Sequence, residues 1–277
     1  VSRGLGDVYK RQNVHSAKGH QLQSGITIMD PYTGNIVGMV GAMGPKTQNL
    51  VDNYAVQKHQ VGSSIKPLTV YSAALDAGAV TPATTFDNYP VELMNNSPWP
   101  KNSPNTYTGW TMIGEGVRRS INTIAVQTVE ALGVAESYAY ATEKLGLSLV
   151  PEDMAVSPLA MGGLTYGLTT EEMAAAYAAF ANNGVYNSPR TYVRVTKTDS
   201  TTGEETVILE NEAESHVAMK ETTAYLMTKM LKGAVTSGTA TSANFGGMTI
   251  AGKTGTTDEN RDRYFAGCLL YTSDAAD

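Results

Sequence analysis

Val61-Gly62-Ser63-Ser64-Ile65-Lys66-Pro67 is the stretch on which the reading of this chain turns. It predicts a glycine turn running into a helix that opens with Ser63 and carries Lys66 three residues on. Residues i and i+3 share a helix face, so the serine hydroxyl and the lysine amine can meet. Serine is a poor nucleophile until a nearby base takes its proton. Lysine serves as that base only when burial or neighbouring cations pull its pKa down from about 10.4. The helix N-terminus adds unpaired N–H groups that stabilise a developing oxyanion. S-x-x-K alone equally fits a capped surface helix, so the rest of the chain must discriminate.

Two further short motifs follow it. S-x-N occurs at Ser120-Ile121-Asn122 and again at Ser242-Ala243-Asn244; K-T-G occurs once, at Lys253-Thr254-Gly255. Ser120 falls between two helical patterns, where a side chain can point into a cleft. Ser242 precedes Lys253 by only eleven residues, in a loop, and is read as a chance match. The order S-x-x-K, S-x-N, K-T-G is that of the penicillin-recognising serine acyl-transferases. Gly62-Ser63-Ser64-Ile65-Lys66-Pro67, Trp99-Pro100-Lys101-Asn102, Arg119-Ser120-Ile121-Asn122 and Lys253-Thr254-Gly255-Thr256-Thr257 carry the match further, with Asp262-Arg263-Tyr264-Phe265-Ala266-Gly267 after them. Together these resemble the transpeptidase domain of bifunctional (class A) penicillin-binding proteins, over almost all of residues 22–267.

The resemblance implies a catalytic set of Ser63, Lys66, Ser120, Asn122 and Lys253. Ser63 attacks the penultimate carbonyl of a peptidoglycan stem peptide ending in D-Ala-D-Ala, and Lys66 takes its proton. Ser120 passes that proton to the leaving amine, and Asn122 holds the substrate amide while contacting Lys66. Lys253 supplies the positive charge that keeps Lys66 neutral and attracts the substrate carboxylate. Thr254, Gly255, Thr256 and Thr257 are the expected substrate-binding residues. The N–H groups of Ser63 and Thr256 form the oxyanion hole, whose donors are typically worth about 3–4 kcal/mol each. A β-lactam would enter the same way and stall. No cofactor or metal is implied. The resemblance places the chain at the outer face of a bacterial cytoplasmic membrane, in a parent with an N-terminal anchor and a glycosyltransferase domain.

The coarse pattern agrees with an α+β architecture. Residues 25–29 and 36–40 are β-type runs joined by Asp30-Pro31-Tyr32-Thr33-Gly34-Asn35, a hairpin signal. Helices are predicted at 67–77, 111–119, 123–132, 135–145 and 221–235. Thr169-Thr170-Glu171-Glu172 is a capping box opening another, with Met173, Tyr177 and Phe180 inward. Residues 192–197 and 205–209 form a second hairpin, and 248–251 and 263–266 are strands. Residues 81–108, rich in Pro, Asn, Ser and Thr, read as a long irregular loop. The fold expected from the resemblance is a β-lactamase-like antiparallel sheet against a helical layer. Its C-terminal strand is missing here, leaving a gap between 25–29 and 263–266.

The ends stand apart. Residues 2–12, SRGLGDVYKRQ, resemble a translated sequencing adapter, and 268–277, CLLYTSDAAD, resemble its complement read through. Residues 1–12 and 268–277 are therefore set aside, leaving 13–267 as one domain open at both ends. The single cysteine, Cys268, lies in a set-aside segment, so no disulfide or thiolate metal site is expected. A formal charge of −6 without basic runs argues against a nucleic-acid partner. No apolar run is long enough to span a bilayer.

Rival readings are weaker. Gly247-Met248-Thr249-Ile250-Ala251-Gly252-Lys253-Thr254 matches a phosphate loop, G-x-x-x-x-G-K-T. That loop needs a buried strand before its first glycine and a helix from the lysine, and the flanking residues suit neither. A β-lactamase shares the three motifs but needs a carboxylate to activate water. Glu152 and Asp153 lie where one is expected, without an E-x-x-x-N. A β-lactam sensor domain of the same fold also shares the motifs. His15, His20, His59 and His216 have no ligand spacing and no evident acidic partners, and read as surface residues. Arg118 and Arg119 read as a solvated helix end.

Overall fold

Short apolar runs punctuated by turn residues build hairpins at both ends of the chain, and alanine-rich periodic segments build helices between them. The structure is a computed structural model and describes residues 22–44, 49, 51–257 and 260–270. Ile26–Met29 pairs antiparallel with Ile36–Val40 across a turn in which Asp30 Oδ1 and Oδ2 accept from Tyr32 N and Thr33 Oγ1. Thr249–Thr256 pairs antiparallel with Arg263–Leu270. Both hairpins pack on the helix Thr170–Ala181, the second mainly through Arg263–Leu270. Among the described residues no ladder joins them, so the expected gap between 25–29 and 263–266 is present.

The helical layer is centred on the segment that follows Lys66. Gly62–Ile65 is a 3-10 turn, Pro67–Tyr71 a π turn and Ser72–Asp76 an α-helix. Pro67 sits at the first position of its turn, where its missing N–H costs nothing. Ile65, Leu68, Val70, Tyr71 and Ala74 are wholly buried. The helices Asn122–Leu132 and Glu221–Ser237 pack around them. The capping box holds as predicted: Glu172 N donates to Thr169 Oγ1 at 3.1 Å and Thr169 N to Glu172 Oε2 at 2.8 Å. Met173, Tyr177 and Phe180 face inward.

Several boundaries differ from expectation. Residues 81–108 contain three short strands, Thr85–Asn88, Glu92–Met94 and Ser97–Trp99. Gly109–Met112 pairs with the first of them, so the helix read from 111 is Ile113–Arg119. A short helix Val156–Met161 and the pair Val185–Asn187 with Ser215–Val217 were not anticipated. The last strand runs three residues past Gly267: Cys268, Leu269 and Leu270 pair with Ala251, Ile250 and Thr249. Residues 1–12 and 271–277 lie outside the described residues.

Candidate active site

The 3-10 turn at Gly62–Ile65 has three residues per turn, so Ser63 and Lys66 stand one above the other. Gly62 adopts φ +53°, and a Cβ there would lie 2.7 Å from Thr256 O and 2.9 Å from Thr256 N. A Cβ at Gly255 would overlap the Val61 carbonyl. The nucleophile turn and the strand Thr249–Thr256 therefore touch backbone to backbone, which only glycines allow. On the other side a Cβ at Gly162 would overlap Gly62 O. Gln60 takes both backbone groups of Leu164, donating to its carbonyl at 2.5 Å and accepting from its N–H at 2.9 Å. Tyr177 Oη donates to Ser64 O at 2.6 Å. Ser63 Oγ is left without a hydrogen-bond partner among the described residues.

Two lysines face this turn, both completely buried. Lys66 Nζ donates to Asn122 Oδ1 at 2.5 Å and to Ser120 O at 3.0 Å. Lys253 Nζ donates to Ser120 Oγ at 2.9 Å and to Thr254 O at 3.0 Å. Burial, and then the nearby Lys253 charge, hold the Lys66 amine well below the ordinary lysine range. Burial brings Lys253 down to about 7. Ser120 bridges the two amines because it interrupts the helices Ile113–Arg119 and Asn122–Leu132 in a left-handed conformation, φ +60°. The Asn122 amide is fixed at its other end, where Nδ2 donates to Lys101 O at 2.7 Å. Asn102 Oδ1 accepts from Asn122 N and Thr123 N, capping that helix from a neighbouring loop.

A model of the penicillin binding protein transpeptidase domain matches residues 24–264. The chain belongs to the penicillin-binding protein transpeptidase family. Penicillin-binding protein 1A of Clostridium botulinum (strain Hall) is 36% identical over 264 residues, covering 91% of this chain and 31% of that protein. The chain thus spans about a third of the length of its curated relatives. Crystal structures of penicillin-binding protein 1A from Haemophilus influenzae and of the D,D-transpeptidase domain of an Eggerthella lenta peptidoglycan glycosyltransferase share the fold. Their TM-scores are 0.74 and 0.73, at 23% and 24% identity. The first match covers 91% of this chain and 43% of that one, the second 95% and 72%. The class A resemblance and the transpeptidase fold are borne out.

Within this transpeptidase fold, most of the residues predicted from sequence gather around the nucleophile turn. Thr254 and Thr256 lie on the strand carrying Lys253, with Gly255 against Val61. The Thr254 hydroxyl is engaged by Thr239 at 2.9 Å, a residue no motif marked. Thr257 instead closes the hairpin turn: its hydroxyl accepts from Asp262 N at 2.9 Å and its N–H donates to Asp262 O at 3.2 Å. Ser242 is exposed on a 3-10 turn that packs on the helix Glu221–Ser237, away from Ser63. The phosphate-loop reading fails because Gly252, Lys253 and Thr254 sit inside a paired strand with no helix after them. Asp153 is buried and committed to Val150 N, Thr165 N and Thr165 Oγ1, a structural role that ties residue 150 to residue 165; Glu152 is exposed.

Two side-chain expectations are corrected. His59 does have an acidic neighbour, Asp262 Oδ1, 3.5 Å from its Nδ1. Arg118 and Arg119 end their helix with their side chains part-exposed, but Arg118 is not free: it forks onto Glu115 at 2.7 and 2.5 Å and donates to Ser237 O at 2.5 Å. Its backbone carbonyl also accepts from Thr239 N. The contacts of Asn102, read from sequence only as part of a matched segment, and of Tyr177, read only as an inward core residue, were not foreseen, and Thr239 was missed altogether, because each reaches the site from a distant part of the sequence. Among the described residues no helix is long and apolar enough to cross a membrane.

Proposed function

We propose that residues 13–267 form one serine D,D-transpeptidase domain that cross-links peptidoglycan stem peptides and is acylated by β-lactams. The observation that carries this is the pair of buried lysines joined through Ser120 beside an unengaged Ser63 hydroxyl. A neutral amine has two protons and one lone pair. Lys66 uses two donors, on Asn122 and Ser120, so its lone pair is left for the Ser63 proton. Ser63 Oγ then attacks the penultimate carbonyl of a stem peptide ending in D-Ala-D-Ala. The N–H groups of Ser63 and Thr256 receive the oxyanion, helped by backbones that already touch at Gly62. The C–N bond breaks as the proton passes from Lys66 through Ser120 to the departing D-Ala amine. An amine from a second strand attacks the ester carbonyl, loses its proton to the same relay and frees Ser63. Lys253 and the Thr256 hydroxyl of its strand receive the terminal carboxylate.

Since its relatives are about three times as long, we place the domain in a larger protein anchored to the bacterial membrane and acting at its outer face. Nothing in its charge favours nucleic acid. The test incubates the domain, with its natural flanking sequence, with a D-Ala-D-Ala peptide and an acceptor amine. Mass spectrometry should show loss of one D-Ala and the new amide, both abolished by Ser63→Ala and slowed by orders of magnitude by Lys66→Ala. Product formation that survives Ser63→Ala would overturn the assignment.

A further inference from the structure

The hydroxyl of Thr254, expected to meet the substrate carboxylate, is already engaged. Thr254 Oγ1 donates to Thr239 Oγ1 at 2.9 Å, and a hydroxyl has only one proton to give. As an acceptor it has lone pairs left, but a carboxylate needs donors. The Thr239 proton is uncommitted among the described residues, on a residue exposed at the cleft edge.

Thr239 is also held unusually firmly for a residue just past a helix end. Gly238 N and Ala240 N both donate to Ala234 O, at 3.1 and 3.0 Å, closing the helix Glu221–Ser237. A Cβ at Gly238 would overlap Arg118 O, so glycine is what lets this turn lie against the Arg118 backbone. Thr239 N donates to that same carbonyl at 3.2 Å. From its side-chain end, Arg118 Nη1 donates to Ser237 O at 2.5 Å while its fork holds Glu115. Arg118 thus grips residues 237–239 at both ends, two positions before Ser120. The hydroxyl of Thr239, the hydroxyl of Thr254 and the Lys253–Ser120 pair are registered to one another through it.

Building on the acyl-transfer reading above, we propose that Thr239 is a carboxylate-recognition residue of this site: it orients the Thr254 hydroxyl and supplies the free O–H that meets the substrate's terminal carboxylate. A hydrogen bond to a charged group at this position contributes about 10- to 100-fold in rate or affinity.

The experiment compares second-order acylation rates of Ser63 by benzylpenicillin and by its methyl ester, which keeps the lactam and lacks the carboxylate. In Thr239→Val, nearly the same shape without the hydroxyl, the acid-to-ester rate ratio should fall about 10- to 100-fold. Thr239→Ser should restore it. With a peptide substrate the loss should appear in KM more than in kcat. A ratio unchanged in Thr239→Val, or lowered as much in Thr239→Ser, overturns the inference while leaving the acyl-enzyme reading intact. Failure of benzylpenicillin to acylate the unsubstituted protein would overturn both.

Discussion

Two amines completely removed from water and joined through one serine cannot both remain ammonium ions at ordinary cost. Lys66, depressed by burial and by Lys253, gives up its proton first, and Lys253 follows at about 7. The acylating form therefore has Lys66 neutral and Lys253 charged. The pH profile of Ser63 acylation by benzylpenicillin should rise as Lys66 deprotonates and fall as Lys253 does. Lys253→Arg, whose guanidinium stays protonated, should remove the alkaline limb; a limb that persists there belongs to another group. The same burial has a stability consequence. In the unfolded chain Lys253 titrates near 10.4, so between about 7 and 10.4 the unfolded state binds more protons and stability rises with pH. The penalty is complete below about 7 and absent above 10.4. Lys253→Met should raise Tm at pH 7 while weakening acylation, and should flatten the rise in Tm between pH 7 and 9. A variant that melts lower at pH 7 would show that the lysine stabilises the fold.

The nucleophile turn is an element clamped between two backbones, and its geometry depends on glycines that make no chemistry themselves. Gly162→Ala would drive a methyl into Gly62 O and push the turn toward Thr256. We expect acylation to fall by orders of magnitude while circular dichroism keeps its helical signal; unchanged acylation would mean that the 162–168 loop yields freely. Asn102→Ala removes the cap of the helix Asn122–Leu132, which should cost about 1–2 kcal/mol in denaturant unfolding and loosen Asn122 as well. These elements mark what the sequence could reveal. Ser63, Lys66, Ser120, Asn122 and Lys253 were legible because helix and strand periodicity confines their chemistry to short local patterns. The cap supplied by Asn102 and the part played by Thr239 were not, since a side chain capping or bonding an element far along the chain leaves no local trace. The helix Val156–Met161 escaped notice because Pro158 reads as a breaker, although proline is tolerated in a first turn. Residues 81–108 read as loop because strands of three or four residues among Pro and Asn are too short to show alternation.

At the scale of the whole molecule, two hairpins share one supporting helix without sharing a hydrogen-bond ladder. Ile26, Ile28, Val37 and Val40 on one hairpin and Phe265 and Leu269 on the other are exposed, an apolar area that soluble domains ordinarily cover. Open strand edges of this kind invite association. The 277-residue chain on its own should aggregate or melt without cooperativity, as followed by light scattering and calorimetry; a sharp, reversible two-state transition would show that the separate hairpins suffice. The α+β layering and this gap were legible from the order of strands and helices and from the family resemblance. The continuation of the last strand through Leu270 was not, because Cys268, Leu269 and Leu270 supply an apolar run that pairs whatever its origin. The central claim concerns one nucleophile in the whole chain, and peptide mapping after exposure to benzylpenicillin tests it most directly. Intact mass should show a single penicilloyl adduct per chain, released slowly. Digestion should place it on the peptide containing Ser63, and Ser63→Ala should show none. An adduct on any other residue, or penicillin hydrolysed rapidly with no adduct retained, would contradict the account.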